Sequence, residues 1–312
     1  MLSQTIADDE WSTSLSMLTL SRPAATQTDI TLRPGTPDDA VAIGWICHEA
    51  FTTFSAQHNF PSDFPTPESG IGLATMLLAH PGFYSVVAEI DGTIVGNSFL
   101  DERSVIAGVG PITVSPSVQN GGVGRLLMQN VLSRAEERGF AGVRLLQAAY
   151  HGRSLSLYAS LGFHPREMIA CMQGPAIGVT IPGYHVRPAG EEDVDACNRL
   201  ARAVHGHDRD GEVHDAVTQR SALVVERDGR ITGYTTATAF FGHTVGETTD
   251  DLKALIGAAQ SFDGPGILVP VRNSSLFQWC LAHGLRVSFT MTLMSVGLYN
   301  EPAGAFMPSV LY

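Results

Sequence analysis

"VSPSVQNGGVGRLLM", residues 114 to 128, passes from a strand-like run through a loop of small residues into an apolar, helix-like run. Gly121, Gly122 and Gly124 stand within four positions, where a helix must begin. Glycine costs a helix interior roughly 1 kcal/mol relative to alanine, so its concentration here needs a reason. A helix N-terminus carries unpaired N–H groups and a partial positive charge, and glycine removes the side chains that would keep an anion away from them. The loop therefore reads as an anion cradle made mostly of backbone. It lacks the Gly-Lys-Ser/Thr ending of a Walker loop, because Arg125 and Leu126 follow Gly124, and it lacks the third glycine of a dinucleotide fingerprint. On glycine spacing alone, an ordinary strand-to-helix turn is an equal reading.

Working outward, "SVIAGVGPITVSP" is a strand leading into the loop, and apolar positions recur helically from Leu126 to Ala135 until Gly139 stops them. "FYSVVAEIDGTIVGNSFL" is two β runs around an Asp91-Gly92 turn, a strong hairpin signal. "GVRLLQAAY" is strand-like, and "SLSLYASLGF" is a short helix closing on glycine. Nearer the start, "DITLRPGTPDDAVAIGWICHEAF" predicts a strand, a turn and a helix, with Thr36 as N-cap and Pro37 in the first helical position. "AQHNFPSDFPTPESG" is a loop, and a short helix from about Ile71 to Ala79 follows it.

The order then begins again. "TLRPGTPDDA" (31 to 40) is echoed by "HVRPAGEEDV" (185 to 194), which aligns Arg33-Pro34 with Arg187-Pro188. "AEIDGTIVG" (88 to 96) is echoed by "VERDGRITG" (225 to 233), and "SLYASLGF" more loosely by "SLFQWCLAHGL" (275 to 285). Three echoes in one order predict a tandem repeat of a single α+β domain. Glycine and proline cluster in "MQGPAIGVTIPGY", which divides the chain into an extension over 1–28, a first domain over 29–178 and a second over 179–312.

Composition restricts the function classes. The chain has 312 residues, 44% of them apolar, and a net charge of -12, with one lysine, Lys253. That balance argues against a nucleic-acid surface. No run reaches the roughly 18 apolar residues of a membrane span, and the acidic N-terminus does not read as a secretory signal. Cys47, Cys171, Cys197 and Cys280 are scattered, as reduced thiols of a cytoplasmic protein would be. His205, His207, Asp208 and His214 fit no familiar metal-ligand spacing, so no metal is expected.

Gln119-x-x-Gly122-x-Gly124, followed about 35 residues later by "SLYASLGF", resembles the GNAT superfamily of N-acetyltransferases. The resemblance covers 29 to about 175 in order and implies two tandem GNAT-like domains, each a mixed, mostly antiparallel sheet flanked by helices. It implies acetyl-CoA as co-substrate, with its pyrophosphate on Gln119, Asn120, Gly121, Gly122, Val123, Gly124 and Arg125. It also implies that the pantetheine arm pairs with the backbone of Ile112, Thr113 and Val114, on a strand splayed from its neighbour. Tyr158 then stands near the thioester sulfur as general acid. The family's asparagine seven residues before that tyrosine is here His151, a contact of unassigned purpose.

The second half lacks the glycine loop, and its Asp250 and Asp251 would repel a phosphate, so it is expected to be degenerate and to wall the acceptor cleft. Acetyl transfer to a small-molecule or peptide amine needs a base, for which Asp101 and Glu102 in "SFLDERSV" are candidates and His58 a rival. The apolar tail, "NEPAGAFMPSVLY", is expected to dock beside the acceptor site, with its terminal carboxylate available to a cationic amine. The chain is read as a monomer or homodimer, with no nucleic-acid or membrane partner. A non-catalytic acyl-CoA sensor or an interaction protein is the alternative.

Overall fold

Thr36 and Asp39 show how the first half starts. In this computed structural model, which describes residues 29–312 and so leaves the expected extension over 1–28 outside the described residues, strand β1 (Ile30–Pro34) ends at a proline and a single turn follows. The Asp39 carboxylate accepts from the Thr36 N–H at 2.7 Å and launches α1 (Ala40–Gln57). Helix α2 (Pro67–Ala79) starts one turn earlier than the apolar pattern predicts, because Thr66 caps it and Pro67 takes the first position. Strands β2 (Phe83–Ile90) and β3 (Thr93–Asp101) form the hairpin, with Asp91 and Gly92 both at positive φ. Then come β4 (Ile106–Val114), α3 (Val123–Glu137), β5 (Gly142–Ala148), α4 (Gly152–Ser160) and β6 (His164–Gln173). The sheet is a filling between layers. Val86, Val109 and Leu145 pack against Leu127, Met128 and Val131 of α3, whereas Val87 and Phe99 pack against Ile43 of α1 and Leu77 of α2.

The second half repeats this order: β7 (His185–Pro188), α5 (Val194–His205), α6 (Asp210–Thr218), β8 (Leu223–Arg227), β9 (Arg230–Thr235), β10 (Thr244–Gly246), α7 (Thr249–Ala258), β11 (Ile267–Pro270), α8 (Ser274–Ala282), β12 (Arg286–Gly297) and an additional β13 (Ala305–Met307). The echo extends to individual side chains. Arg33 is held by both oxygens of Asp39, at 2.8 and 2.9 Å, and by Glu89 at 2.9 Å; Arg187 is held by both oxygens of Asp193, at 2.6 and 2.9 Å, and by Glu226 at 2.8 Å. Both hairpins break register at the same place, after Ala88 in one and after Val225 in the other. Their turns match too, with Asp228 and Gly229 at positive φ.

The halves are not separate sheets. The larger sheet runs β1-β2-β3-β4-β5-β12-β6-β11, so β12 of the second half lies between β5 and β6 of the first. β6 in turn pairs with β11 of the second half, antiparallel from Ile169 to Met172. Each half therefore lends its final repeat strand to the other. The sequence boundary near residue 178 falls in the connection between β6 and β7, but it does not divide the sheet there. Strands β13-β10-β9-β8-β7 make a second sheet. Between the halves Arg103 joins Asp101, at 2.6 Å, to Asp215 of α6, at 2.7 Å.

Candidate active site

Strands β4 and β5 are parallel, but they pair only from Ile106 to Gly108 against Gly142 to Arg144. Beyond that point they diverge. Ile112, Thr113 and Val114 pair with β3 on one edge and line an open cleft on the other. The Thr113 hydroxyl is engaged, donating to the Asn97 side chain, so the free polar groups of this strand are those of its backbone. The cleft has a volume of about 440 Å³. Such a wedge, with unpaired strand edge along one wall, suits an extended amide-bearing ligand.

The glycine loop closes one end. Gly122 is the residue before α3, with φ of +93°, and a Cβ built there would meet nothing within 4 Å. That empty volume lies at the first turn, where the N–H groups of Val123, Gly124 and Arg125 have no intrahelical acceptor. Gln119, Asn120, Gly122, Val123, Gly124 and Arg125 all line the cleft, with Gly121 behind them in the loop. Gln119 folds back and donates to the Val114 carbonyl at 3.1 Å. Arg153, which the sequence reading missed, donates to the Gln119 side chain at 3.0 Å and adds a second guanidinium to Arg125 at this end. A cation in the first turn of α4 runs against the helix dipole, and that misplacement was the available signal.

Further along, Tyr158 lines the cleft from α4, and burial pushes its phenol well above its ordinary value. His151 stands just before the same helix. Its Nδ1 is 2.6 Å from the Ser154 hydroxyl, its ring packs 3.9 Å from that of Phe54, and burial lowers its pKa to about 4. His151 is therefore neutral, and its Nε2 is buried without a partner, as is Nε2 of Gln147 on β5. Two orphaned polar atoms on the wall of an open cleft mark places for ligand groups.

The far end is apolar and comes from both halves. Phe51 and Phe54 of α1 and Leu73 of α2 face Phe240, Phe241, Phe289 and Leu311. Asp63, in the loop between α1 and α2, is the carboxylate of this end, and burial raises its pKa to about 6. Sequence reasoning missed it because nothing local distinguishes one aspartate in a polar loop. The rival His58 instead donates from Nδ1 to the Phe54 carbonyl at 3.0 Å, at the end of α1, and does not line the cleft.

The two acids expected as bases are elsewhere. Asp101 is clamped by Arg103, which folds back through its Nε at 2.9 Å and its N–H at 3.1 Å. Glu102 is gripped by Arg134 of α3 at 2.7 and 3.1 Å. Neither lines the cleft, and each is a structural ion pair, so the expectation of a base at either position is corrected. The tail docks, with Leu311 and Tyr312 buried, and the Leu311 carbonyl rests against Gly108. Val310 and Leu311 line the cleft, but the main-chain oxygen of Tyr312 turns away to Arg209 and to the Ser309 hydroxyl. Its ring is stacked 3.8 Å below the buried guanidinium of Arg144. The tail thus supplies wall rather than charge.

The equivalent slot of the second half is filled. Gly96 pairs with Val114 in one hairpin-and-strand unit, and Gly233 with Gly246 in the other, so Thr244 to Gly246 stand where Ile112 to Val114 do. Their outer edge is taken by β13, Thr244 pairing with Met307 and Gly246 with Ala305. The long loop over 115–122 has shrunk to Glu247 and Thr248, and the Asp251 carboxylate accepts from the Thr248 N–H at 2.8 Å, at the start of α7. Cys280, buried in a core, occupies the place of Tyr158. Asn273 stands seven residues before it and caps α8 through the Leu276 N–H at 3.1 Å.

Residues 47–163 match the model of the acetyltransferase (GNAT) family. Over both halves the described residues share their fold with solved structures, a tandem GNAT protein among them. The chain is similar to a candidate acetyltransferase from Pyrococcus horikoshii, at a TM-score of 0.68 and 17% identity over 88% of this chain and 93% of that one. A GCN5-related N-acetyltransferase from Sphaerobacter thermophilus gives 0.58 at 16% identity, over 88% and 98%. A tandem GNAT protein from the clavulanic acid biosynthesis pathway gives 0.53 at 14% identity, over 89% and 99%. At these identities the likeness is one of fold. No curated protein matches the chain. Among the described residues, no helix is long and apolar enough to cross a membrane.

Proposed function

We propose that the protein is an acetyl-CoA-dependent N-acetyltransferase with one productive cleft per chain, in which an amine attacks the thioester directly. The observation that carries this reading is the single wedge between β4 and β5, which gathers a backbone anion cradle, an unpaired strand edge and Tyr158. The fit to coenzyme A is chemical as well as spatial. Free N–H groups at Gly122 to Arg125, with Arg125 and Arg153, suit a pyrophosphate. The open edge of Ile112 to Val114, with the orphaned Nε2 atoms of Gln147 and His151, suits the pantetheine amides. Bound there, acetyl-CoA supplies an activated acetyl group.

Tyr158 holds a proton at its hydroxyl, because burial disfavours the phenolate, and gives it to the departing sulfur. A thiol has an ordinary pKa of about 8.5, so the help required is modest. The acceptor must lose a proton first, since an alkyl amine of pKa about 10.4 is neutral in only about one molecule in 2,500 at pH 7. The second half contributes wall instead of a second site, with its strand edge, helix start and tyrosine position all otherwise engaged.

Calorimetry tests this directly. Acetyl-CoA is expected to bind with a stoichiometry of one, and Gly122→Val, which fills the cradle at a positive φ, is expected to weaken binding by about 100-fold or more. Two equivalent sites, or an unchanged Kd in that variant, would overturn the reading.

A further inference from the structure

Among the residues lining the cleft, the cations Arg125 and Arg153 sit at the cofactor end, and the acceptor end carries one charge, Asp63. Around it the surfaces are rings and hydrocarbon. Phe54 and Tyr150 lie parallel at 5.0 Å, Phe289 stands 6.4 Å from Tyr150, and Phe240 meets Phe241 at 5.6 Å. No donor among the described residues bonds to the Asp63 side chain, and the two titratable groups that feel its charge, Tyr150 and Cys171, are held neutral by burial.

We infer that the acceptor is an aliphatic monoamine on an apolar body, its ammonium held by Asp63 and its hydrocarbon laid against Phe54, Tyr150, Phe240 and Leu311. This rests on the acetyl-transfer reading above. Charge counting excludes the rival classes. An amino acid would bring a carboxylate into an end that has no cation to meet it. A polyamine or aminoglycoside would bring further ammonium groups and leave them desolvated and unpaired. A polypeptide N-terminus would bury backbone amides against aromatic walls that cannot bond them. An ammonium on an apolar body instead satisfies the lone carboxylate and gains from the ring faces.

Asp63 also has somewhere to send the proton. Burial brings its pKa to about 6, nearer to that of an amine than an exposed carboxylate would be. The ammonium passes one proton to Asp63, and the freed lone pair forms the N–C bond as the C–S bond breaks. The thiolate takes the Tyr158 proton, Tyr158 recovers one from the acylated nitrogen, and Asp63 releases its proton to water. The products are an amide and a free thiol.

Two measurements test the inference. Calorimetry without acetyl-CoA is expected to show 2-phenylethylamine binding to the wild type and about tenfold weaker binding to Asp63→Asn, as loss of a charged partner predicts. Thiol release from acetyl-CoA is expected to favour 2-phenylethylamine and hexylamine over spermidine and phenylalanine. In Asp63→Asn, kcat/KM for the monoamines should fall by about 100-fold or more, with acetyl-CoA affinity and Tm preserved. Preference for spermidine or phenylalanine, or a silent Asp63→Asn in either measurement, overturns it. Failure of acetyl-CoA to bind the wild type sinks the acetyl-transfer reading instead, while the amine calorimetry still reads Asp63.

Discussion

Tyr158 lies in the core of the first half and at the wall of its cleft at once. A structural role and a chemical role therefore make different demands on one side chain, and removing only the hydroxyl separates them. Tyr158→Phe keeps the ring and its packing against Phe163. It is expected to lower kcat by about 10- to 100-fold, at the low end for general acids because a thiolate leaves readily. Acetyl-CoA affinity by calorimetry should stay within about twofold, since the hydroxyl acts only as the bond breaks. Wild-type kcat in that variant would reduce Tyr158 to packing. This residue was legible in the sequence through the resemblance of its segment, "SLYASLGF", to one of a known family. Asp63 was not, because its character comes from burial among residues distant in the chain. Asp101 misled for a local reason: Arg103, two positions on, folds back onto it, and the alternation of a strand gives no warning that an arginine beyond its end will do so.

At the scale of elements, the glycine loop, the hairpins and the Thr36 cap were readable, since each is decided by a few adjacent residues, whereas the Thr66 cap of α2 was missed inside a proline-rich loop. The matched arginine circuits of Arg33 and Arg187 explain why the echoes survive around them: each ties a strand to the turn ahead of the next helix. The tail was readable as something that docks, from its apolar content, but not in its path. That path depends on Gly108, where a Cβ would collide with the Leu311 carbonyl. Gly108→Val is expected to displace Val310 to Tyr312 and to cost about 1–3 kcal/mol in overpacking. A lower Tm and faster proteolysis of the tail would show it, together with a raised KM for the acceptor from the loss of Leu311 as wall. Unchanged Tm and proteolysis would mean that the tail does not depend on this approach.

The whole molecule holds what no local pattern could reveal. Hydrophobic alternation says that β12 is a strand and that β6 is a strand, but not that each completes the other half's sheet, because pairing across more than a hundred residues leaves no periodic trace. Its energetic meaning is plain. Without β12 the first half loses the partner of β5 from Gly142 to Ala148 and one partner of β6, and without β11 it loses the other. A fragment covering 29–178 is expected to show no cooperative thermal transition, whereas co-expression with 179–312 should restore one. A cooperatively folded, soluble 29–178 would contradict the exchange. So would a productive acetyl-CoA site in that fragment alone.

The exchange also bears on how such a chain can change over generations. A duplicated domain is ordinarily free to decay, because the first copy keeps the trade. Here the second half has no anion loop, its slot holds β13 and Cys280 stands in the place of Tyr158, yet β11 and β12 meet the demands of the other half's sheet. A change in its loop or at Cys280 would leave the shared sheet intact, whereas loss of its strands would strip the other half: the swap acts as a ratchet against losing the second half.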